Sequence, residues 1–246
     1  TGNTTITVSY AEGGVTKTDT QAITVTAISN TLNSNSWATI KAVSDAGHGA
    51  NYWDVGDTKQ ITINGQVGNT NISNLAINVF IIGFNHNASR EGSNRIHFKI
   101  GKIGNTQVGL CDNQYSNYQS GNGYFNMNPN NSNSGGGANP LLAALPADLR
   151  AVMKPITKYS DNTGGGNNTA SYVTSTTDYL PLLSEFEYHG ARTYANSAEQ
   201  NFQQQYAYYQ AGNSKVHYKH NATGTAANAW CRSVNATNTN IFCLVN

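Results

Sequence analysis

The chain has 246 residues and a formal net charge of +1. Hydrophobic residues make up 38% of it and charged residues only 11%, whereas asparagine alone occurs about 35 times. A net charge this close to zero provides no field that would attract nucleic acid or an anionic membrane, and no apolar run reaches 18 residues. We therefore expect neither a nucleic-acid partner nor membrane insertion, and a surface solvated mainly by neutral polar side chains.

The N-terminal residues have the pattern of a β-hairpin. Residues 4–10 and 19–27 alternate apolar and polar side chains, and Gly13-Gly14 between them is a turn signal. The pattern predicts a hairpin with one buried face. Because two strands alone are not stable, we expect residues before position 1 to complete the unit. With its "EGGVTKT" segment, the stretch 1–28 resembles the end of a bacterial immunoglobulin-like (Ig-like) repeat, which implies a modular extracellular or virion protein.

Residues 29–35 form a polar linker in this prediction, and a second domain spans residues 36–246. Ser36 is a candidate N-cap for a short helix that places Trp37, Ile40 and Val43 on one face. Asp54 to Asp57 is predicted to be a turn in preference to a calcium site.

The middle of the chain predicts adjacent strands. A strand from Lys59 to Ile63 should end at the Asn64-Gly65 turn signal. Residues 75–84 are the most apolar run and predict the central strand, and residues 95–103 alternate like its neighbour.

The remaining elements of the second domain follow from caps, breakers and apolar runs. Residues 139–153 are predicted to be helical with a division at Pro146, residues 178–184 to be a buried strand, and residues 199–212 to be a helix or turn. Ser184 caps a short helix whose Glu185 and Glu187 complement the helix dipole. Residues 229–234 and 241–246 predict two closing strands. The whole pattern predicts an α+β class.

The three cysteines, Cys111, Cys231 and Cys243, fit no zinc-binding spacing. Buried or free thiols are favoured over a Cys231–Cys243 bridge across the closing hairpin. We expect no metal and no cofactor.

Several sequence segments of residues 36–246 together resemble a domain family of unknown function from gut bacteria and their phages. They include "YWDVGDTKQITING", "LPADLRAVMKPITKYSDN", "LPLLSEFEYHG" and "YAYYQAGNSKV". The family's Trp-Trp-Leu-Arg-Ser-Pro strand corresponds to residues 229–234, where Trp230, Arg232 and Ser233 are kept. Its Phe-Cys-x-Val strand is kept as Phe242, Cys243 and Val245. The resemblance implies a C-type-lectin-like domain of short helices and long polar loops. It also implies a protein that continues past residue 246, in addition to the residues expected before position 1.

Two polar loops are candidates for ligand contacts. The loop 112–138 combines Tyr, Ser, Asn and Gly, as antibody loops do, although a solvated insertion is the alternative. The second loop is 213–240, where His217 and His220 are expected to be exposed. The predicted contacts are Tyr115, Tyr118, Tyr124, His217, Tyr218, His220, Asn221, Asn228, Arg232, Asn235, Asn238 and Asn240. The predicted structural core includes Trp53, Trp230 and Phe242.

These patterns predict a non-enzymatic ligand-binding or adhesion module on a phage virion or bacterial surface. It would bind a host glycan or protein and act as a homo-oligomer with other virion or surface-protein subunits. One alternative is a purely structural decoration or fibre protein. Another is a variable receptor-binding protein diversified by a retroelement at residues 215–240. The enzymatic rival is a formylglycine-generating enzyme that uses Cys231 with His217 or His220.

Overall fold

The computed structural model describes residues 2–25, 27–67, 70–110, 141–162, 168–237 and 242–245, and within them the chain has an α+β fold of mixed sheets and short helices. The strands are β1 (Gly2–Glu12), β2 (Val15–Val25), β3 (Thr58–Val67), β4 (Thr70–Phe84), β5 (Ile96–Ile103), β6 (Thr106–Gly109), β7 (Ile156–Asp161), β8 (Val173–Asp178), β9 (His217–Lys219), β10 (Ala222–Ala227), β11 (Ala229–Val234) and β12 (Phe242–Val245). The α-helices are α1 (Trp37–Asp45), α2 (Gly49–Tyr52), α3 (Ala88–Glu91), α4 (Leu141–Ala144), α5 (Ala147–Arg150), α6 (Glu185–His189) and α7 (Ala207–Gln210). Short 3₁₀ helices lie at Leu32–Ser34, Ala170–Tyr172 and Ser197–Asn201. No helix within the described ranges is long and apolar enough to cross a membrane.

Six strands form the main sheet, in the order β10-β9-β6-β5-β4-β3. Its pairings are antiparallel except that of β6 with β9, which is parallel and sets residues 107–109 beside residues 217–219. The pairs β1–β2, β7–β8 and β11–β12 form separate antiparallel sheets. The parallel pairing attaches the β9–β10 hairpin to the main sheet, which the sequence patterns do not predict.

β4 is buried on both of its faces. Ile77, Val79 and Ile81 belong to a hydrophobic cluster that also contains residues of α1, α4 and β3. Phe80 and Ile82 belong to a second cluster with residues of α6, α7, β11 and β12. A strand buried on both faces has a near-continuous apolar sequence, and this is the property from which residues 75–84 are predicted. The buried strand and its neighbour β5 are confirmed, although β4 is second from the sheet edge rather than central.

The predicted helix starts are confirmed. The hydroxyl of Ser36 accepts the N–H of Thr39 at 3.1 Å, and α1 buries Trp37, Ile40 and Val43. Pro146 separates α4 from α5, and Ser184 is the N-cap of α6. Local signals suffice for these elements because caps and prolines act within one helical turn.

Two predicted elements are wrong. The strand that contains Lys59 does not end at Asn64-Gly65, because Gly65 adopts φ 135° and forms an irregularity inside β3. The predicted buried strand at 178–184 is not formed: Asp178 ends β8, residues 179–184 are irregular, and Tyr179 is 39% exposed. Pro181 within this segment has no N–H to donate to a strand neighbour.

The N-terminal hairpin is confirmed as β1–β2, with Gly13 and Gly14 at positive φ in its turn. The predicted burial of one face is not observed in the described part of the chain. Ile6, Val8 and Tyr10 are 52%, 65% and 62% exposed. Their spacing by two residues places them on one face of β1, so the hairpin presents an apolar face to solvent.

Residues 29–35, predicted to be a polar linker, pack against the domain that follows. Leu32 is 2% exposed and belongs to the first hydrophobic cluster. The side-chain amide of Asn35 donates to the carbonyl of Ser29 at 2.9 Å, and the indole N–H of Trp53 donates to the same carbonyl at 3.0 Å. These contacts make the segment part of the folded unit.

Part of the asparagine abundance has a backbone reason. Among the residues that the structure describes, the non-glycine residues at positive φ are Asn74, Asn85, Asn87 and Asn94. Asparagine tolerates the left-handed region better than other residues with a Cβ. The chain therefore uses asparagine at several turns where glycine is the usual residue.

A bulge at Gly101 determines which lysines share a face of β5. Successive residues of β4 pair with Lys102 and Ile100, which leaves Gly101 without a partner on β4. The extra residue shifts the alternation of side chains. Lys99 and Lys102 consequently lie on one face, with their ammonium groups 6.0 and 5.0 Å from the ring centroid of Phe80.

Replacement of Gly101 by alanine should destabilise the protein by about 3 kcal/mol. Gly101 has φ 113°, and a Cβ at this position would lie 2.2 Å from the carbonyl oxygen of Val108. Urea denaturation of Gly101→Ala measures the loss. The matched control is Gly109→Ala in β6, where the nearest atom to a new Cβ is 3.9 Å away. Equal stabilities of the two variants would contradict the role of the bulge.

Candidate functional site

Four buried ionisable side chains meet between α3, β7, α6 and β11. The ammonium of Lys158 donates to one carboxylate oxygen of Glu91 at 2.8 Å and to one of Glu187 at 2.7 Å. Arg232 donates to the other carboxylate oxygen of Glu187. No more than 7% of any of these side chains is exposed. Because a buried charge is costly unless it is compensated, the four depend on one another, and we call them the charge cluster.

The local sequence of α6 fixes the Glu187 carboxylate. The N–H of Glu187 donates to the Ser184 hydroxyl, and the N–H of Ser184 donates to the Glu187 carboxylate, each at 3.0 Å. This reciprocal arrangement is a capping box. Burial opposes ionisation of Glu187, but the charges of Arg232 and Lys158 outweigh burial and hold its pKa below the ordinary range. Glu187 is therefore a buried counter-ion as well as the predicted helix-start acid.

Two further buried carboxylates hold chain segments around the charge cluster. Glu185 accepts the backbone N–H of Ala195 at 2.8 Å. Glu199 accepts the backbone N–H of Asp161 at 2.8 Å and the hydroxyl of Ser233 at 2.7 Å, while burial raises its pKa. The 3₁₀ helix Ser197–Asn201 is thereby tied to β7 and β11, and the loop before it is tied to α6.

Two neutral histidines border the charge cluster. His86 stacks on Tyr206 with 3.6 Å between ring centroids, and Nδ1 of His97 lies 3.3 Å from the Tyr206 hydroxyl. Burial lowers the pKa of His86 to about 4 and that of His97 well below its ordinary value. Both rings are therefore uncharged at pH 7, and they add no positive charge to the cluster.

The same region contains the groups most suited to hold a metal ion among the described residues. His86, Glu91 and Glu187 each offer a ligand atom, and these atoms lie within 4.8 Å of one another. The ammonium of Lys158 already bonds to both carboxylates of that set. A divalent cation would have to displace this ammonium, so the geometry favours a structural ion-pair cluster.

A cavity of about 310 Å³ lies beside the charge cluster, and its volume is typical of small-molecule sites. Its apolar walls include Trp37, Phe98, Ile100, Leu141, Met153 and Leu180. Lys158 of the charge cluster also lines it, as do His97 and Tyr206 next to the cluster.

Lys99 lines the same cavity. Its ammonium donates to the side-chain oxygen of Gln107 at 2.8 Å, contacts Nε2 of His217, and lies 5.3 Å from the ring centroid of Tyr188. No carboxylate among the described residues forms an ion pair with it. Burial without a counter-charge lowers the pKa of Lys99 to about 7.

The predicted ligand contacts divide into several groups. Tyr115, Tyr118, Tyr124, Asn238 and Asn240 lie outside the described residues. The others in the second loop fall on β9, on the turns before and after β10, on β11 and just after β11.

The β9–β10 hairpin and its adjoining turns contain five of the predicted contacts. Asn221 and Asn228 are exposed, and Tyr218 and His220 are half-buried. The expectation of an exposed loop is wrong for His217, which is 4% exposed. Its pairing with β6 turns the ring inward to Lys99.

Arg232 is wrong as a ligand contact, because it is 6% exposed and its guanidinium is bound to Glu187. Asn235 is half-buried and forms an isolated antiparallel bridge to Ala195. Its side-chain oxygen also accepts the N–H of Thr237 at 2.8 Å. Arg232 and Asn235 therefore hold segments of the protein together.

The predicted core residues have different outcomes. Trp53 is confirmed, at 2% exposure. Trp230 is half-buried rather than largely buried. Phe242 lies in β12, and its side chain is outside the described part of the structure.

Cys231 and Cys243 are buried free thiols, as favoured from the sequence. Burial raises the pKa of both thiols. A catalytic cysteine needs the opposite shift, because the thiolate is the nucleophile. The environment of Cys231 therefore does not favour the formylglycine-generating alternative.

Sequence reasoning did not find Lys99, Lys158 or Glu91. The one local signal for the charge cluster is the capping-box spacing of Ser184 and Glu187. In β5, the alternation that turns Phe98 inward turns its polar neighbours to the other face, where a second buried cluster lies. The sequence of β5 therefore predicts burial of the face with Phe98, but it does not predict burial of the opposite face.

Replacement of Lys158 by methionine should destabilise the protein by about 3–5 kcal/mol, because Glu91 loses its cation while buried. The matched control is Lys154→Met. Lys154 pairs with the exposed Asp45, so its loss should cost less than about 1 kcal/mol. Chemical denaturation compares the two variants, and equal losses would refute the structural importance of the charge cluster.

Replacement of Lys99 by methionine should stabilise the protein at pH 7 and stabilise it less as the pH rises towards 9.5. The pKa of Lys99 is about 7 in the folded state, whereas its ordinary value of 10.5 applies in the unfolded chain. Between these values the unfolded chain binds the extra proton, so the stability of the unmodified protein rises with pH. Denaturation midpoints at several pH values measure this, and a pH-independent difference between Lys99→Met and the unmodified protein would contradict it.

In comparisons with protein-family models, curated proteins and solved structures, no match to this chain was found. The resemblance to the family from gut bacteria and their phages, and the C-type-lectin-like fold that it implies, therefore stay predictions.

Proposed function

We propose that the chain is a non-enzymatic ligand-binding or adhesion module displayed on a phage virion or a bacterial surface. Its domain of residues 36–246 has a C-type-lectin-like fold in this proposal, and residues 1–28 end an Ig-like repeat. The ligand is a host glycan or a host protein. The observation that carries the proposal is the β9–β10 hairpin, which combines a fixed root with an exposed outer strand.

The root of the hairpin is held by buried contacts. β9 pairs in parallel with β6, and His217 contacts Lys99. The side-chain amide of Gln107 donates to the carbonyl of Ser214, and the N–H of His220 donates to that of Gly109 at 3.1 Å. A fixed root supports recognition because little conformational entropy is lost when a ligand binds.

The outer strand of the hairpin is open. Residues 222–226 of β10 are exposed, and among the described strands β10 pairs only with β9. Asn221 and Asn228 flank this strand and are exposed. Their amides donate and accept hydrogen bonds, which suits a polar ligand. Substitutions at these positions leave the hydrophobic clusters intact.

The double variant Asn221→Ala/Asn228→Ala should lose about tenfold in binding to host bacterial cells, or about 1.4 kcal/mol. The matched control is Asn51→Ala/Asn105→Ala, which removes two exposed amides from other parts of the described chain. Flow cytometry with fluorescent protein measures binding, and circular dichroism confirms folding. Equal binding by the two double variants would overturn the hairpin as the recognition surface.

Treatment of the cells separates the two ligand classes. Periodate oxidation of the cells should abolish binding if the ligand is a glycan, and protease treatment should abolish it if the ligand is a protein. Binding that survives both treatments would contradict the proposal.

A structural virion role is the second candidate, and the exposed apolar face of β1–β2 favours it. Ile6, Val8 and Tyr10 on that face are suited to contact another virion or surface-protein subunit, including a second copy of this chain. Ile6→Thr/Val8→Thr should then abolish incorporation into particles without loss of cell binding. Normal incorporation of this variant would exclude the role.

Retroelement diversification is a lesser alternative for residues 215–240. It requires substitutions in isolates of one population to concentrate at exposed hairpin positions such as Asn221 and Asn228, and not at buried Arg232. Sequencing of isolates tests it, and uniform residues at 215–240 would exclude it.

A further inference from the structure

The cavity beside the charge cluster is lined by several cationic side chains, most of which already have partners. Lys41 and Lys154 both pair with Asp45. Lys158 bonds to two carboxylates of the charge cluster. Arg95 donates to a backbone carbonyl at 2.8 Å. Each of these cationic side chains therefore has a carboxylate or carbonyl partner within the described protein.

Lys99 differs because the groups that face it from other elements are neutral, and the charged side chain on the same face of its own strand is another cation, Lys102. The titratable groups around it are His217 from β9, Tyr188 from α6, Tyr209 from α7 and Cys231 from β11. Burial lowers the pKa of His217 to about 3 and raises the pKa values of the two tyrosines and the cysteine. All four are therefore uncharged at pH 7, and β6 adds a neutral amide.

We propose that the cavity binds a small amphiphilic carboxylate, whose apolar body packs against the cavity walls and whose carboxylate accepts a hydrogen bond from Lys99. The charge supports this ligand class, because an anion would supply the counter-ion that the described residues do not. The walls support it as well, because Ile82, Leu183 and Tyr188 line the cavity on the Lys99 side of β5 and offer apolar surface to an alkyl or aryl group. A charge-assisted bond in a low-dielectric cavity is stronger than one in water.

This site should couple ligand binding to proton uptake. A carboxylate pairs with the protonated form of Lys99, whereas the empty site loses its proton near pH 7. Affinity should therefore fall by about tenfold for each pH unit above about 7.5. A neutral ligand of the same shape should show no such dependence.

Octanoate and 1-octanol form a matched pair of probes, since they share the alkyl chain and differ in charge. Met153 lies in the cavity wall, and the chain has only two methionines. Methyl-¹³C labelling of methionine thus gives two signals, and Met153→Leu identifies the relevant one. Titration of the labelled full chain with each probe at pH 6.5 and pH 8.5 gives the dissociation constants.

The inference predicts that octanoate shifts the Met153 signal and binds at least tenfold more weakly to Lys99→Met, whereas 1-octanol binds both proteins equally. Lys102→Met is the matched control, because Lys102 lies on the same face of β5 as Lys99 but does not line the cavity. It should leave both affinities unchanged.

Three outcomes would overturn the inference: neither probe binds, octanoate binds Lys99→Met as tightly as the unmodified protein, or octanoate affinity is the same at both pH values. Asn221→Ala/Asn228→Ala separates this site from the proposed adhesion surface. That variant should bind octanoate normally. The cavity site and the adhesion surface can therefore be refuted independently.

Discussion

The carboxylate of Glu187 is shared between two cations, and the packing of the C-terminal half of the domain depends on that sharing. One oxygen bonds to Lys158 and the other to Arg232. Neither cation reaches water, so each element that carries one must stay in place for the others to remain compensated. Apolar packing tolerates small displacements, whereas a buried ion pair loses its balance when one member moves. The charge cluster therefore fixes the positions of β7, α6 and β11.

The cavity owes its electrostatic character to a contrast between two lysines. Lys158 and Lys99 both line it, and Lys158 is buried whereas Lys99 is half-buried. Lys158 has two carboxylates within hydrogen-bond distance, whereas Lys99 has an amide, a neutral imidazole and aromatic rings. Of these two lysines, only Lys99 has no ion pair with a carboxylate of the described residues. Stability would be better served by an apolar residue at position 99, and such a conflict with stability is common at functional sites.

How far the sequence predicts the structure depends on the distance over which each feature is determined. Ser36 and Ser184 predict helix starts because a cap acts on the next few residues, and the apolar run of β4 shows its burial directly. The Asn64-Gly65 pair leads to a wrong strand end, because a glycine inside a strand cannot be told from a glycine in a turn by its local sequence.

The charge cluster joins residues that are 67, 29 and 45 positions apart, and no local pattern predicts which lysine bonds to which glutamate. His217 is misplaced for the same reason, since its burial follows from the parallel pairing with β6. The unpartnered apolar face of β1–β2 shows the opposite case, where the local pattern is clear but its packing partner is not in the described chain.

The members of the charge cluster are far apart in the sequence, and this also affects folding during translation. Glu91, Lys158 and Glu187 leave the ribosome before Arg232, so a nascent chain that lacks β11 contains two glutamates for one lysine at this position. Such a chain cannot bury the cluster in its final form, and contacts of this sequence separation form slowly. The domain should therefore remain incomplete until translation has passed residue 232. In that interval its apolar segments, β4 above all, are the surfaces that a chaperone would have to cover.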